Sequence, residues 1–258
     1  MKEFPRRRIK FFEEQYWYSQ NFLQKYLDIS DYENLNILET GSAEGGSIKF
    51  FSEQKANCWG VEISKGRSDF SIEYCRDKNI NFICGDICKN EIVEKLPEMD
   101  IIIIRDVIEH IPDKITALKN MNRLLKKDGK LFLSYPPKYS PYAGHQQNVK
   151  KIIGRLPFIH LLPKFIYRIF LKAAQQTDQR IEGYMDVKRD MISIRKIENY
   201  FKRTNYKILK KDYYFIRPCF EKRFGWKPRK LFLSKIPILK EMFTVGALYV
   251  LGKKTQRQ

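Results

Sequence analysis

Four segments place groups with binding chemistry in order along the first half of the chain. The run from Glu39 to Ser47, ETGSAEGGS, is built largely of small residues. Such residues let backbone approach a ligand closely and let the following helix present its N-terminus to it. Glu62 stands 21 positions beyond Gly41, the separation at which an acidic side chain accepts hydrogen bonds from a ribose diol. Gly85-Asp86 offers a second carboxylate, suited to an exocyclic adenine amine. Arg105, Asp106 and Val107 complete the set. Glu109 and His110, one helical turn further on, read as groups that cap or stabilise a helix start.

The elements that must hold these groups follow from hydropathy. Short apolar runs, ILET (37–40), CWGVEI (58–63), INFICG (80–85), DIIIIR (100–105) and GKLFLSY (129–135), alternate with amphipathic stretches. Continuous apolar runs of this length are the pattern of parallel strands buried on both faces, joined by right-handed helical crossovers. Each candidate group then lies at the end of a strand or just after it, at the carboxyl edge where open parallel sheets bind ligands. A helix is expected over about 8–27 and another near 115–125, ending in KKDGK with Gly129 as its stop. Beyond Tyr135 a turn-rich loop, a basic apolar stretch from Val149 to Ala174, a helix over 193–203 and strands at 206–216 and 245–254 are expected.

The spacing Glu-x-Gly-x-Ala-x-Gly from Glu39 to Gly45, together with Glu62, Asp86 and DIIIIRDVIEHIPD, resembles the class I S-adenosylmethionine-dependent methyltransferase family, over about residues 35–137. The resemblance implies an α/β, Rossmann-like, doubly wound and mostly parallel seven-stranded sheet with an N-terminal helix and a helical lid insertion. It implies S-adenosyl-L-methionine as cofactor, its methionine part held by Glu39, Gly41, Ser42, Ala43 and Gly45, its ribose by Glu62 with Ile63, and its adenine by Asp86 with Ile87. Arg105 and Asp106 would face the methionine part and the acceptor. Ala43 stands where the family has the middle glycine of its loop, a departure that is tolerable if Ala43 keeps a negative φ. The rival, a nicotinamide-binding sheet, lacks its Gly-x-Gly-x-x-Gly, since 41–46 reads G-S-A-E-G-G. The expected organisation is a helical extension (1–34) before a methyltransferase domain (35–258), with a cofactor-binding core (35–135), a substrate loop and basic lid (136–190), and C-terminal helix and strands (191–258).

The expected reaction is in-line displacement at the sulfonium methyl, for which the protein aligns the acceptor, excludes water and removes a proton when the acceptor is a hydroxyl. No metal is required. The loop YPPKYSPYAGHQQ follows the fifth strand and is expected to carry the acceptor side: Tyr135, Tyr139, Tyr142, His145 and Gln146, with Gly144 permitting an unusual turn. His145 is the expected general base and Asp106 the next candidate. Tyr135-Pro136-Pro137 follows the fifth strand rather than the fourth, so it does not indicate methylation of a base nitrogen.

Charge is divided unevenly. Residues 1–149 carry 22 Lys+Arg and 22 Asp+Glu, whereas 150–258 carry 27 and 8, which accounts for the whole net charge of +19. The basic half interleaves cations with bulky apolar residues, as an interfacial helix does, and suits peripheral contact with an anionic membrane. The acceptor expected is a small molecule, glycan or lipid-linked precursor. An RNA methyltransferase, with the basic half as docking surface, is the second reading, and a catalytically silent cofactor-binding module the third. The cysteines Cys58, Cys75, Cys84, Cys88 and Cys219 form no C-x-x-C pair, so a reducing cytosol is expected, with neither disulfide framework nor zinc knuckle. MKEFPRRRIK leads into FFEEQYWYSQ rather than an apolar run, and Phe158–Ala174 is broken by Pro163, Lys164 and Arg168. Neither a secretory signal nor a membrane span is expected, and the protein should be cytoplasmic or peripheral on the inner face of the membrane.

Overall fold

The computed structural model describes residues 4–77, 79–146, 149 and 156–254. A helical run opens the chain: α1 (Arg6–Tyr18) passes through one π turn (Ser19–Leu23) into α2 (Gln24–Leu27). Strand and helix then alternate as β1 (Asn36–Thr40), α3 (Gly46–Glu53), β2 (Asn57–Glu62), α4 (Lys65–Cys75), β3 (Ile80–Cys84), α5 (Asn90–Val93), β4 (Met99–Arg105), a 3-10 turn (Ile108–His110), α6 (Lys114–Leu124) and β5 (Leu125–Tyr135). After the loop come a 3-10 turn (Ile159–Leu161), α7 (Lys164–Ala173), α8 (Asp178–Asp190), α9 (Ile194–Arg203), β6 (Tyr206–Ile216), α10 (Cys219–Phe224), β7 (Arg229–Lys230), α11 (Pro237–Phe243) and β8 (Gly246–Lys253).

The strands form one sheet in the order β3-β2-β1-β4-β5-β8-β6-β7. Strands β3 to β5 along that order are parallel, and β8, β6 and β7 pair antiparallel. Among the described residues it therefore has eight strands rather than seven, the addition being the two-residue β7 at the edge. Both faces are covered. In β4, Ile101 and Ile103 pack with α1–α3, while Ile102 and Ile104 pack on the opposite side with α6 and α9, which is why DIIIIR reads as unbroken apolar sequence. Winding reverses between β1 and β4, and the crevice beyond their carboxyl ends is where such a sheet binds ligands.

Two local expectations are corrected. The helix before β5 ends at Leu124, and Gly129 lies inside β5. A Cβ there would meet Leu125 and the Met99 carbonyl at about 3.0 Å, so the glycine serves strand packing rather than a helix stop. The cap of α6 is Asp113, whose carboxylate accepts from the Thr116 N–H at 3.0 Å. Glu109 and His110 therefore belong to a separate turn and cap nothing. The N-terminal run packs onto the sheet, where Tyr18, Leu23, Tyr26 and Leu27 share a buried cluster with Ile37, Ile48 and Phe51.

The expected helical insertion is present as α7 and α8, with a small core of its own made by Val149, Ile159, Tyr167, Leu171, Ala174 and Ile181. Residues 150–155, where the basic apolar stretch begins, and Gln147 of the loop lie outside the described residues. Among the described residues no helix is long and apolar enough to cross a membrane.

Candidate functional site

A cavity of about 530 Å³ opens beyond the carboxyl ends of β1, β2, β3 and β4, a size within the roughly 300–1,000 Å³ of small-molecule sites. Gly41, Ala43, Glu62, Ile63, Asp86, Ile87, Arg105 and Asp106 all line it. Four strand ends separated in sequence thus converge on one space. Glu39, Ser42 and Gly45 stand behind this wall and not on it.

The glycine loop is held by backbone geometry. Gly41 has φ +72°, and a Cβ on it would lie 2.3 Å from Val107 Cγ2, so both conformation and contact demand glycine. Gly45, at φ +84°, precedes α3, with Phe82 packed where its Cβ would be. Ala43 does not keep a negative φ: it sits at +49°. The strain is balanced by fixing both its backbone groups, since its N–H donates to Glu62 Oε2 at 3.0 Å and its carbonyl accepts from Ser71 Oγ at 2.9 Å. Glu62 Oε1 accepts from the Ser64 N–H at 2.8 Å. Each Glu62 oxygen so engaged keeps a lone pair free for a further donor.

Charge in the wall is uneven. Glu39 is 1% exposed, and burial pushes its carboxyl up to about 7 against the opposing pull of Arg105. Arg105 lies over the Tyr18 ring, 4.6 Å from its centre. Burial alone would raise the Asp106 carboxyl, but Arg217 and Arg105 outweigh it and hold it below its ordinary value. Ile63 is 72% exposed, an aliphatic ledge beside the cavity, while Asp86 accepts from the Cys88 N–H at 2.9 Å to shape the turn below it.

The roof comes from two helices far apart in sequence. Phe11, Glu14 and Gln15 of α1 and Arg223 of α10 also line the cavity. Gln15 grips the glycine loop from above, donating to the Ser42 carbonyl at 3.1 Å and accepting from the Gly46 N–H at 3.2 Å. Arg223 reaches Glu14 through two bonds of 2.7 and 2.8 Å. No local pattern marks these residues, because each acts on a segment far away in sequence.

The loop after β5 divides its expected residues among different tasks. Tyr135 is fully buried in the core. Gln146 is fully buried and ties the loop together, donating to the Pro141 carbonyl at 2.9 Å. Tyr139 and Tyr142 are exposed, and Tyr139 borders a separate groove with Lys138 and Lys188. Gly144 does not make the unusual turn. His145 does, at φ +57°, and Gly144 is needed because a Cβ there would lie 2.3 Å from His160.

His145 does not line the cavity, but packs edge-on against His110, which does, with ring centres 5.1 Å apart. Burial, and then His110, lower the His145 imidazole to about 4. Burial also lowers His110. A base that weak accepts a hydroxyl proton poorly by itself near neutral pH. Glu109 is 1% exposed, and neither carboxylate oxygen has a hydrogen-bond partner. Burial, and next the charge of Asp106, push it up to about 8.

Known proteins share this fold. A family model described as a methyltransferase domain matches residues 12–211. The ubiquinone biosynthesis O-methyltransferase of Coxiella burnetii is 29% identical over 153 residues, covering 57% of this chain and 62% of that protein. The human arsenite methyltransferase is 31% identical over 115 residues, covering 40% of this chain and 31% of its own length. Among solved structures, the putative methyltransferase bound to the Haloferax volcanii Trm112 activator superposes with TM-score 0.58 at 12% identity, covering 97% and 95% of the two chains. The plantazolicin methyltransferase BamL, solved with a substrate analogue and SAH, gives TM-score 0.56 at 12% identity, covering 96% and 86%.

Proposed function

The chain belongs to the methyltransferase-domain family and uses S-adenosylmethionine, and from that premise we propose that it O-methylates a small-molecule, glycan or lipid-linked acceptor. The observation that carries the reading is the convergence of Gly41, Glu62, Asp86 and Asp106 on one cavity at the switch point of the sheet. Glu62, its oxygens already aligned by the Ala43 and Ser64 N–H groups, takes the ribose hydroxyls. Asp86 takes the adenine amine, with Ile63 and Ile87 supplying apolar faces for the ring. Gly41, Ser42, Ala43 and Gly45 shape the loop around the amino-acid part, and Glu39 and Arg105 set the charge beside it.

The transfer itself demands alignment and dryness more than chemistry from the protein, since the sulfonium is already a good leaving group. Gln15 and the Glu14–Arg223 pair close the cleft from above. The acceptor hydroxyl enters beside Asp106 and His110, with His145 immediately behind, and is activated at that cluster. Asp106, fixed by Arg217, positions it. Tyr139 and Tyr142, exposed on the same loop, are the groups on which an acceptor first docks.

The basic half holds the protein against an anionic membrane. On α7 and the turn before it, Phe165, Ile169 and Leu161 are exposed beside Lys164, Arg168 and Lys172, the composition of an interfacial face. An acceptor with a lipid portion would be met there. Incubating the purified protein with methyl-labelled cofactor and fractionated cell extract tests the whole reading. Label in small-molecule, glycan or lipid fractions is expected; label in RNA would replace the acceptor, and no transfer at all would leave a binding module.

A further inference from the structure

Glu109 and His110 on the turn after β4, and His145 on the loop after β5, bring one ligand-type atom each to within 4.8 Å of one another. The Glu109 and His110 members are already close, Oε1 to Nε2, at 3.9 Å. We propose that these three side chains form a site for one borderline divalent cation of the Zn²⁺, Co²⁺ or Mn²⁺ kind, set in the wall of the cofactor cavity. The inference rests on the O-methylation reading and supplies the means by which the hydroxyl is activated.

Three observations carry it. The donor set, two imidazoles and one carboxylate, is the mixed nitrogen and oxygen set that such cations take while leaving coordination positions open for water or substrate. The Glu109 carboxylate is 1% exposed and both its oxygens lack a partner. A buried carboxyl whose oxygens find no donor at hydrogen-bonding distance is costly, and a bound cation removes that cost. The cluster reaches the cavity through His110, which lines it together with Asp106 and Ile111. Ligands about 2.1 Å from a cation lie roughly 3 to 3.4 Å apart, so side-chain rotation of about an ångström closes the set.

At that place a cation would draw charge from the acceptor oxygen. The O–H bond breaks with its proton passing to water, and the oxygen's electron pair forms the new O–CH₃ bond. The S–CH₃ bond breaks with its pair remaining on sulfur, which leaves as neutral S-adenosylhomocysteine. This division of labour suits Asp106, already committed to Arg217.

The test is Co²⁺ titration of the full chain after chelation, read by visible absorption and by calorimetry, with S-adenosylhomocysteine affinity measured on each sample. One Co²⁺ per chain is expected. Glu109→Gln and His145→Ala should each weaken uptake at least about 10-fold while still binding S-adenosylhomocysteine, which reports that the variants are folded. No uptake by wild-type protein that binds S-adenosylhomocysteine, or uptake unchanged in both variants, overturns the site. The readout needs no acceptor, so its failure is distinct from failure of the O-methylation reading, which the labelled-extract assay decides.

Discussion

Arg217 donates to the Asp106 carboxylate across 2.5 Å, joining the end of β4 to the segment that follows β6. The arginine side chain is 12% exposed and the aspartate 29%, so neither charge is well served by water. Asp106 also has φ +57°, an unusual conformation for a residue with a side chain, and the ion pair helps to hold it there. Removing one partner of such a pair leaves the other charge uncompensated. Arg217→Met should cost about 3 kcal/mol of stability in a denaturant titration. Adding Asp106→Asn should cost much less than a second such loss, and strict additivity would show that the two side chains do not act as a pair.

Two substitutions in the glycine loop should act in opposite directions. Gly41→Ala forces a side chain into both a positive φ and the space of Val107, and should lower stability by about 2 kcal/mol or more and abolish cofactor binding. Ala43→Gly relieves a positive φ without removing a packed group, and should raise the unfolding free energy by about 1 kcal/mol. Thermal unfolding of both variants, with and without S-adenosylhomocysteine, checks the pair; a destabilised Ala43→Gly would contradict the strain described at that residue.

Glu62→Ala tests the ribose contact. It removes the acceptor for the two ribose hydroxyls and also the partner of the Ala43 and Ser64 N–H groups. Cofactor affinity should fall by about 1 to 3 kcal/mol, measured by calorimetry on protein whose circular dichroism is unchanged.

Glu39 should link cofactor binding to pH. Its folded carboxyl titrates at about 7, above the ordinary 4.5, so its contribution to the stability of the empty protein is present below about 4.5 and is lost as pH rises through 7. A cofactor that brings positive charge beside it favours the ionised form. Binding should therefore release a proton near pH 7 and tighten as pH rises towards 8. Calorimetry in two buffers of different ionisation enthalpy measures that proton directly. Glu39→Gln should remove it.

The basic half should bind anionic vesicles with affinity that falls as salt rises, because screening weakens contacts between exposed charges. Phe165→Ser combined with Ile169→Ser on α7 should weaken vesicle binding while leaving S-adenosylhomocysteine affinity unchanged. Vesicle binding indifferent to both salt and this double substitution would remove the proposed membrane face.

What was legible in the sequence followed the physical signal each part emits. The strands were legible because burial on both faces makes apolar runs, and Gly41, Glu62 and Asp86 because each follows such a run. The α6 cap was legible in principle, since Asp113 stands three residues before Thr116 with an apolar helical period after it; the charged pair Glu109-His110 drew the assignment upstream. Gly144 and His145 exchanged roles because a glycine in a loop signals either an unusual dihedral or a close neighbour, and only the position of His160 tells which. Gln15, Glu14 and Arg223 emit no local signal at all. The same holds for the meeting of His145 with Glu109 and His110, which depends on how two loops after neighbouring strands come together.

The bond between Glu14 and Arg223 spans 209 positions, and its consequence concerns synthesis. During translation the glycine loop, β1 and β2 emerge early, with α1 ahead of them and tied to the loop by Gln15, but the Arg223 half of the clasp follows only with α10. A partly made chain would present an open crevice without the clasp that encloses it. The roof of the cavity is therefore completed late, when Glu14 is fastened to Arg223.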